Sequence, residues 1–230
     1  MKTLGLIGGT TWLSTIDYYR LINRLINKRL GGHHSARMYL HSIDFALFQQ
    51  MGVNNDREGS VKLFSDAAKK LEQAGAECIV ICANTPHQFA DEIQKHIQIP
   101  IIHIVKEVAK EIQRQGMNKV ALLGTGYTME GTFYPDILSA YNIEMIVPDP
   151  DGRKFIHDSI YNELTKEIFN PETKEKYLSI IHKLISEGAQ GIILGCTEIP
   201  LLIKPEECPV PTFDTTLIHA KAAVEFALGE

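Results

Sequence analysis

No stretch of this 230-residue chain approaches the ~20 consecutive apolar residues that a membrane-spanning helix needs. The amino terminus, Met1-Lys2-Thr3-Leu4, runs straight into a strand pattern with no leader, so no membrane contact is expected. Basic residues are outnumbered by acidic ones. A formal net charge of −5 and a pI near 6.0 withhold the positive face that nucleic acid and anionic lipid both require. Cysteine is scarce and unpatterned: Cys78, Cys82, Cys196 and Cys208 fit neither a disulfide framework nor the paired spacing of a zinc site. That usage points to the reducing cytoplasm. His33-His34 has no acidic or thiol partner at ligand spacing and reads as solvated loop, so no metal is expected. These absences leave a small molecule as the expected partner.

What is present is an ordinary globular composition, 44% hydrophobic and 22% charged, enough for one large or two small α/β domains. The chain is organised around residues 188–199, Gly-Ala-Gln-Gly-Ile-Ile-Leu-Gly-Cys-Thr-Glu-Ile. A short Ile/Leu run opened by glycines and closed by Gly-Cys-Thr reads as a buried parallel strand delivering a thiol to its C-terminal end. Open α/β sheets keep their ligands there, so chemistry is expected at Cys196. Residues 75–86, Gly-Ala-Glu-Cys-Ile-Val-Ile-Cys-Ala-Asn-Thr-Pro, superpose on that stretch without a gap and set Ala83 opposite Cys196. Leu4-Gly5-Leu6-Ile7-Gly8 echoes Val120-Ala121-Leu122-Leu123-Gly124, and Pro100-Ile101-Ile102-His103 echoes Pro211-Thr212-Phe213-Asp214, at nearly the same distance. So long a period indicates a duplicated domain and not a repeat array. Two matching halves facing each other would enclose one cleft.

Along the chain, 3–7 is the first strand, and Gly8-Gly9-Thr10-Thr11 a turn that caps a helix over 14–30, ended by Gly31-Gly32. Free N–H groups at that helix start suit a carboxylate or a phosphate. A second strand over 37–45 is followed by a polar loop or short helix over 48–56 carrying Gln50, then an amphipathic helix over 58–74. Asn84 and Thr85 sit just past the echoed strand, where they hold a carboxylate or cap the next helix. Alternation turns Cys82 away from residue 83 and into the core, where Cys78 also belongs. His87 and His103 are polar groups near the same rim, although a core or surface position is the commoner fate of a histidine. Strands are expected at 101–105, 119–123, 143–147 and 210–214, and helices at 106–115, 153–169, 173–187 and 216–228, with Lys166 a lone cation late in the third of those strand-to-helix units.

Gly-Cys-Thr-Glu at 195–198, Ala-Asn-Thr-Pro-His at 83–87 and Leu-Gly-Leu-Ile-Gly-Gly-Thr-Thr-Trp at 4–12 resemble the aspartate/glutamate racemase family, in particular its aspartate racemase branch. The likeness runs over essentially the whole chain. It implies two flavodoxin-like parallel-sheet α/β domains related by a pseudo-two-fold axis, residues 1–104 with 211–230 and residues 105–210, with the active site in the cleft between them. It also implies an isomerase that uses neither pyridoxal phosphate nor metal: one thiolate takes the Cα proton and a second thiol returns one to the far face.

Carried over by position, Cys196 is the thiol base and acid. Thr10, Asn84, Thr85 and Thr197 hold the substrate's carboxylate or amino group, and Lys166 meets a distal carboxylate. Gln50 reaches over the site, and Glu198 lies beside the thiol. Cys196, followed by a helix start, is expected to have a lowered pKa. The family carries its other catalytic thiol directly before Asn-Thr, where this chain has Ala83. Three readings follow: a racemase of aspartate- or glutamate-like substrates with one working thiol, which is the reading adopted; a single-cysteine decarboxylase of the arylmalonate type; or a protein that binds an acidic amino acid without turnover. A homodimer is expected from an exposed helix face.

Overall fold

The structure, a computed structural model, describes residues 1–230. The chain divides into two compact units, 1–103 with 219–230 and 104–218, so it passes from one to the other twice.

The first unit contains β1 (Leu4–Gly8), α1 (Trp12–Leu30), β2 (Met38–Ser42), α2 (Phe45–Val53), α3 (Arg57–Gln73), β3 (Cys78–Ile81), α4 (Ala90–Gln94) and β4 (Ile101–Ile102). Its four strands are all parallel, in the order β2-β1-β3-β4, with Leu4 level with both Met38 and Cys78. β1 and β3 are buried throughout, as near-continuous apolar runs in a sheet covered on both faces must be. One face packs Leu4, Leu6, Val80 and Cys82 against Tyr18, Ile22 and Ile26 of α1. The other packs Ile7, Ile79 and Ile81 against Phe64, Ala68 and Leu71 of α3. Each fully buried Leu or Ile contributes roughly 1.5–3 kcal/mol. α1 starts where the Thr11 hydroxyl accepts from the Ser14 N–H, two residues earlier than the apolar pattern predicts, and Lys28 and Arg29 complement its C-terminal dipole.

The second unit contains α5 (Ile104–Arg114), β5 (Lys119–Leu123), α6 (Gly126–Met129), α7 (Phe133–Ala140), β6 (Glu144–Ile146), α8 (Pro150–Asn162), α9 (Pro171–Ser186), β7 (Ile192–Leu194), α10 (Ile199–Leu202), β8 (Thr212–Asp214) and the first turn of α11 (Thr215–Leu228). Its sheet is again four-stranded and parallel, ordered β6-β5-β7-β8, the counterpart of the first. The duplication read from the sequence is therefore a duplication of sheet order.

Three expectations need correction. The strand placed over 101–105 has only two residues, because Ile104, Val105, Val108, Ala109 and Ile112 form the buried stripe of α5. The helix placed over 153–169 stops at Asn162, and Lys166 ends a separate 3-10 turn closed by Glu167 in the left-handed region at φ 58. The return to the first unit placed at residue 211 comes at 219: β8 pairs with β7, Leu194 level with Asp214, so 211–218 stay with the second sheet.

Candidate active site

In the second unit β7 ends at Leu194 and the backbone turns sharply. Gly195 N–H donates to the Leu123 carbonyl at 2.7 Å. A side chain at 195 would put its Cβ 2.9 Å from that carbonyl and 2.8 Å from Leu122, so only glycine lets the turn pack on β5. The half-buried Cys196 follows. Its thiol donates to Glu198 Oε2 at 2.8 Å, and the Thr197 hydroxyl donates to the same oxygen at 2.7 Å. Glu198 is 3% exposed, so this carboxylate is held out of water by the strand end it serves.

The expected lowering of the Cys196 pKa is not what this setting produces. Burial, and then the adjacent Glu198 charge, push the thiol well above its ordinary value. α10, the helix that follows, has four residues, too few for its dipole to outweigh a carboxylate in contact with the sulfur. The thiol is thus a proton donor at rest, already aimed at an acceptor.

A wall not marked out in the sequence reading stands near this pair. Tyr127, His157 and Tyr161 meet in series, the first pair edge-on and the second tilted, with ring centroids 6.2 Å and 4.9 Å apart. His157 Nδ1 accepts from the Gly126 N–H at 3.0 Å. Burial, followed by charge at Cys196, pushes the Tyr161 hydroxyl up to about 12. His157 and Tyr161 are four residues apart on α8, but no spacing marked Tyr127, which α6 brings to them only in the fold. Lys166 lies exposed on its turn beyond α8.

In the first unit, the neighbouring strands β1 and β3 bring the other sequence-derived residues to one rim, Ile7 level with Ile81. Gly9 turns at φ +89, where a Cβ would stand 2.1 Å from the Ile43 carbonyl. The next residue, Thr10, is 7% exposed, and its hydroxyl oxygen has no hydrogen-bond partner. Asn84 is 5% exposed, and Thr85 opens a 3-10 turn. Ala83, half-buried between them and β3, offers a methyl group where Cys196 offers a sulfur. Gln50 is exposed near the end of α2.

Behind Ala83 sits a buried histidine cluster. His87 Nδ1–H donates to the Ala83 carbonyl at 2.8 Å, while its Nε2 is buried without a partner. Its ring lies 4.9 Å from His103 and 5.2 Å from His219. His219 Nε2–H donates to the Ile102 carbonyl at 2.7 Å, so its Nδ1 accepts from the Tyr18 hydroxyl at 2.8 Å. Burial lowers both His87 and His219 to about 3, and both rings are neutral. Nothing in the spacing of His219, more than a hundred residues from its acceptor, marked it for this cluster.

Against known proteins, residues 7–223 match the family model for Asp/Glu/hydantoin racemases. The broad-specificity amino-acid racemase RacX of Bacillus subtilis (strain 168) is 25% identical over 98% of both chains. The crystal structure of a candidate Asp/Glu racemase from Yersinia pestis superposes with a TM-score of 0.94 at 46% identity, over 99% of this chain and 100% of that one. An aspartate racemase homologue from Pyrococcus horikoshii OT3 gives 0.88 at 37% identity, over the same shares. With two parallel sheets of the racemase kind and a match across nearly its whole length, this chain belongs to the Asp/Glu/hydantoin racemase family.

Proposed function

We propose that the protein is a cofactor-independent amino-acid racemase, an isomerase of aspartate- or glutamate-like substrates, in which Cys196 and Glu198 carry the proton. The observation that carries this reading is the 2.8 Å thiol–carboxylate contact at the end of β7. A Cα proton beside a carboxylate is weakly acidic, so its removal needs a strong base kept from water. A thiol with a raised pKa gives a strongly basic thiolate once it ionises, and Glu198 is the group placed to take its proton. The Thr197 hydroxyl holds the carboxylate in place. On this reading the substrate carboxylate is met by Thr10, Asn84, Thr85 and Thr197, a distal carboxylate by Lys166, and Gln50 contributes a weaker polar contact. The unsatisfied Thr10 hydroxyl supports that assignment, since a buried oxygen with no partner is where a ligand group gains most.

Ala83 removes the second thiol, so return of a proton to the other face falls to water or to Thr85, and exchange at Cα outruns inversion. The test is incubation of the protein with L-aspartate and L-glutamate in D2O, followed by NMR and chiral chromatography. Deuterium at Cα with slow inversion is expected. Absence of exchange with either substrate overturns the racemase reading, and CO2 release from a substituted malonate in that case identifies the one-thiol decarboxylase.

A further inference from the structure

Past the end of β3, three successive carbonyls of the rim are each taken by a donor. The buried Ser14 hydroxyl donates to the Cys82 carbonyl at 3.0 Å. His87 Nδ1–H donates to the Ala83 carbonyl at 2.8 Å, and the His87 backbone N–H donates to the Asn84 carbonyl at 3.0 Å. One residue therefore fixes two neighbouring peptide planes. In a trans peptide the N–H points away from the C=O, so tying the Ala83 carbonyl to a buried ring turns the Asn84 N–H to the opposite side. Asn84 and Thr85 hang on those two planes.

The ring that does this is clamped. His103 lies 4.9 Å from it and His219 meets it edge-on at 5.2 Å. His219 is itself pinned by the Ile102 carbonyl at 2.7 Å and the Tyr18 hydroxyl at 2.8 Å, so β4, α11 and α1 together hold His87 in place. With its proton on Nδ1, His87 keeps a bare Nε2 in the core with no partner, although the residue is only 2% exposed. A buried polar atom left unpaired is destabilising, and an apolar side chain would fill the same space without it. The bond to Ala83 is what accounts for a histidine here. The second unit manages without one: where the internal echo sets Ala83 on Cys196, it sets His87 on Pro200, and the Cys196 carbonyl takes a backbone donor, the Ile199 N–H, at 3.3 Å.

We propose that His87 is a positioning residue for the carboxylate-binding rim of the first unit: by holding the Ala83 carbonyl it sets the 83–84 peptide, and with it the direction in which Asn84 and Thr85 meet a substrate carboxylate. This role rests on the reading of those two residues as carboxylate ligands. His87 itself touches no substrate and acts through the backbone. Binding should therefore follow the donor at one ring nitrogen and not the volume of the side chain.

The test compares three variants of the full chain well below their melting temperatures. His87→Asn places its amide nitrogen where Nδ1 stands and leaves a cavity beyond it. His87→Gln carries its amide one bond further, at the Nε2 position, and His87→Leu fills the space with no donor at all. Calorimetric titration with L-aspartate and L-glutamate reads affinity, Cα exchange in D2O reads turnover, and thermal melting reads stability. The dissociation constant is expected to stay within about threefold of the unaltered chain for His87→Asn and to rise about tenfold or more for His87→Gln and His87→Leu, even though His87→Asn melts lowest. Affinity that ranks with melting temperature, or that is unmoved in His87→Leu, overturns the proposal. Should His87→Leu fail to fold, His87→Gln decides alone. Binding without exchange in the unaltered chain overturns the racemase reading and leaves the ranking by affinity to judge His87, whereas an unaltered chain that binds neither amino acid overturns both.

Discussion

The two units run the same sheet order with the same buried central strands, yet their strand ends are different chemical objects. β7 ends in a thiol hydrogen-bonded to a buried carboxylate, and β3 ends in a methyl group whose carbonyl is held by a neutral histidine. Where the backbone must repeat, as in the glycine turns and the Ile/Val/Leu runs, the halves agree. At residues 83 and 196 the backbone demands little and the halves diverge. The halves share what folds the sheet and differ in the side chains at the strand ends, a thiol in one and a methyl group in the other.

The largest effect expected of that asymmetry is the loss of all Cα exchange on Cys196→Ala, a fall of about 1,000-fold or more read by deuterium incorporation in D2O. Exchange that survived would move the base elsewhere. Glu198→Gln should be next, with a loss of about 100-fold in kcat/KM. The same change removes the charge that raises the thiol, so the pH dependence of Cys196 alkylation should shift to lower pH, and an unmoved profile would mean that Glu198 does not govern the sulfur. Restoring symmetry with Ala83→Cys should raise inversion by about tenfold relative to exchange, since a second thiol then faces proton return. An unchanged ratio of inversion to exchange would show that residue 83 does not reach the reacting carbon.

The remaining effect is on stability. His87 and His219 take a proton near pH 6.5 in the unfolded chain but only near 3 in the folded unit, so the unfolded state binds protons first as pH falls. Stability is complete above about 6.5 and drains between 6.5 and 3, by up to about 1.4 kcal/mol per pH unit for each ring. The second unit has no such cluster among its described histidines: His157 is half-buried and His182 exposed. Trp12, the one tryptophan, belongs to the first unit. Urea midpoints followed by its fluorescence should fall from pH 7 to pH 5, and His219→Gln should flatten that slope by about half.

The central sheet strands were legible because short continuous apolar runs between glycines have few other uses, and the internal echo matched one half to the other. The rim residues at 10, 83–85 and 196–198 followed from where such strands end. Other features were hidden for identifiable reasons. β4 looked longer because Ile104 and Val105 suit a strand as well as the first turn of α5. The thiol pKa was misjudged because the sequence shows that a helix follows but not that it has one turn, nor that Glu198 folds back onto the sulfur. The histidine cluster joins residues 87, 103 and 219, and Tyr127 of α6 meets His157 of α8, contacts that no local pattern records, whereas His157 and Tyr161 are four residues apart on one helix.

The double passage of the chain bears on synthesis. Residues 104–218 leave the ribosome as one continuous block, whereas the first unit receives Ala220, Ala223, Val224 and Ala227 for its α1-side core only when the last helix emerges. The half bearing Cys196 can therefore close before its older sibling. Until release, the early segment waits with an apolar face uncovered, so a truncation that removes only those final turns strips the half made first.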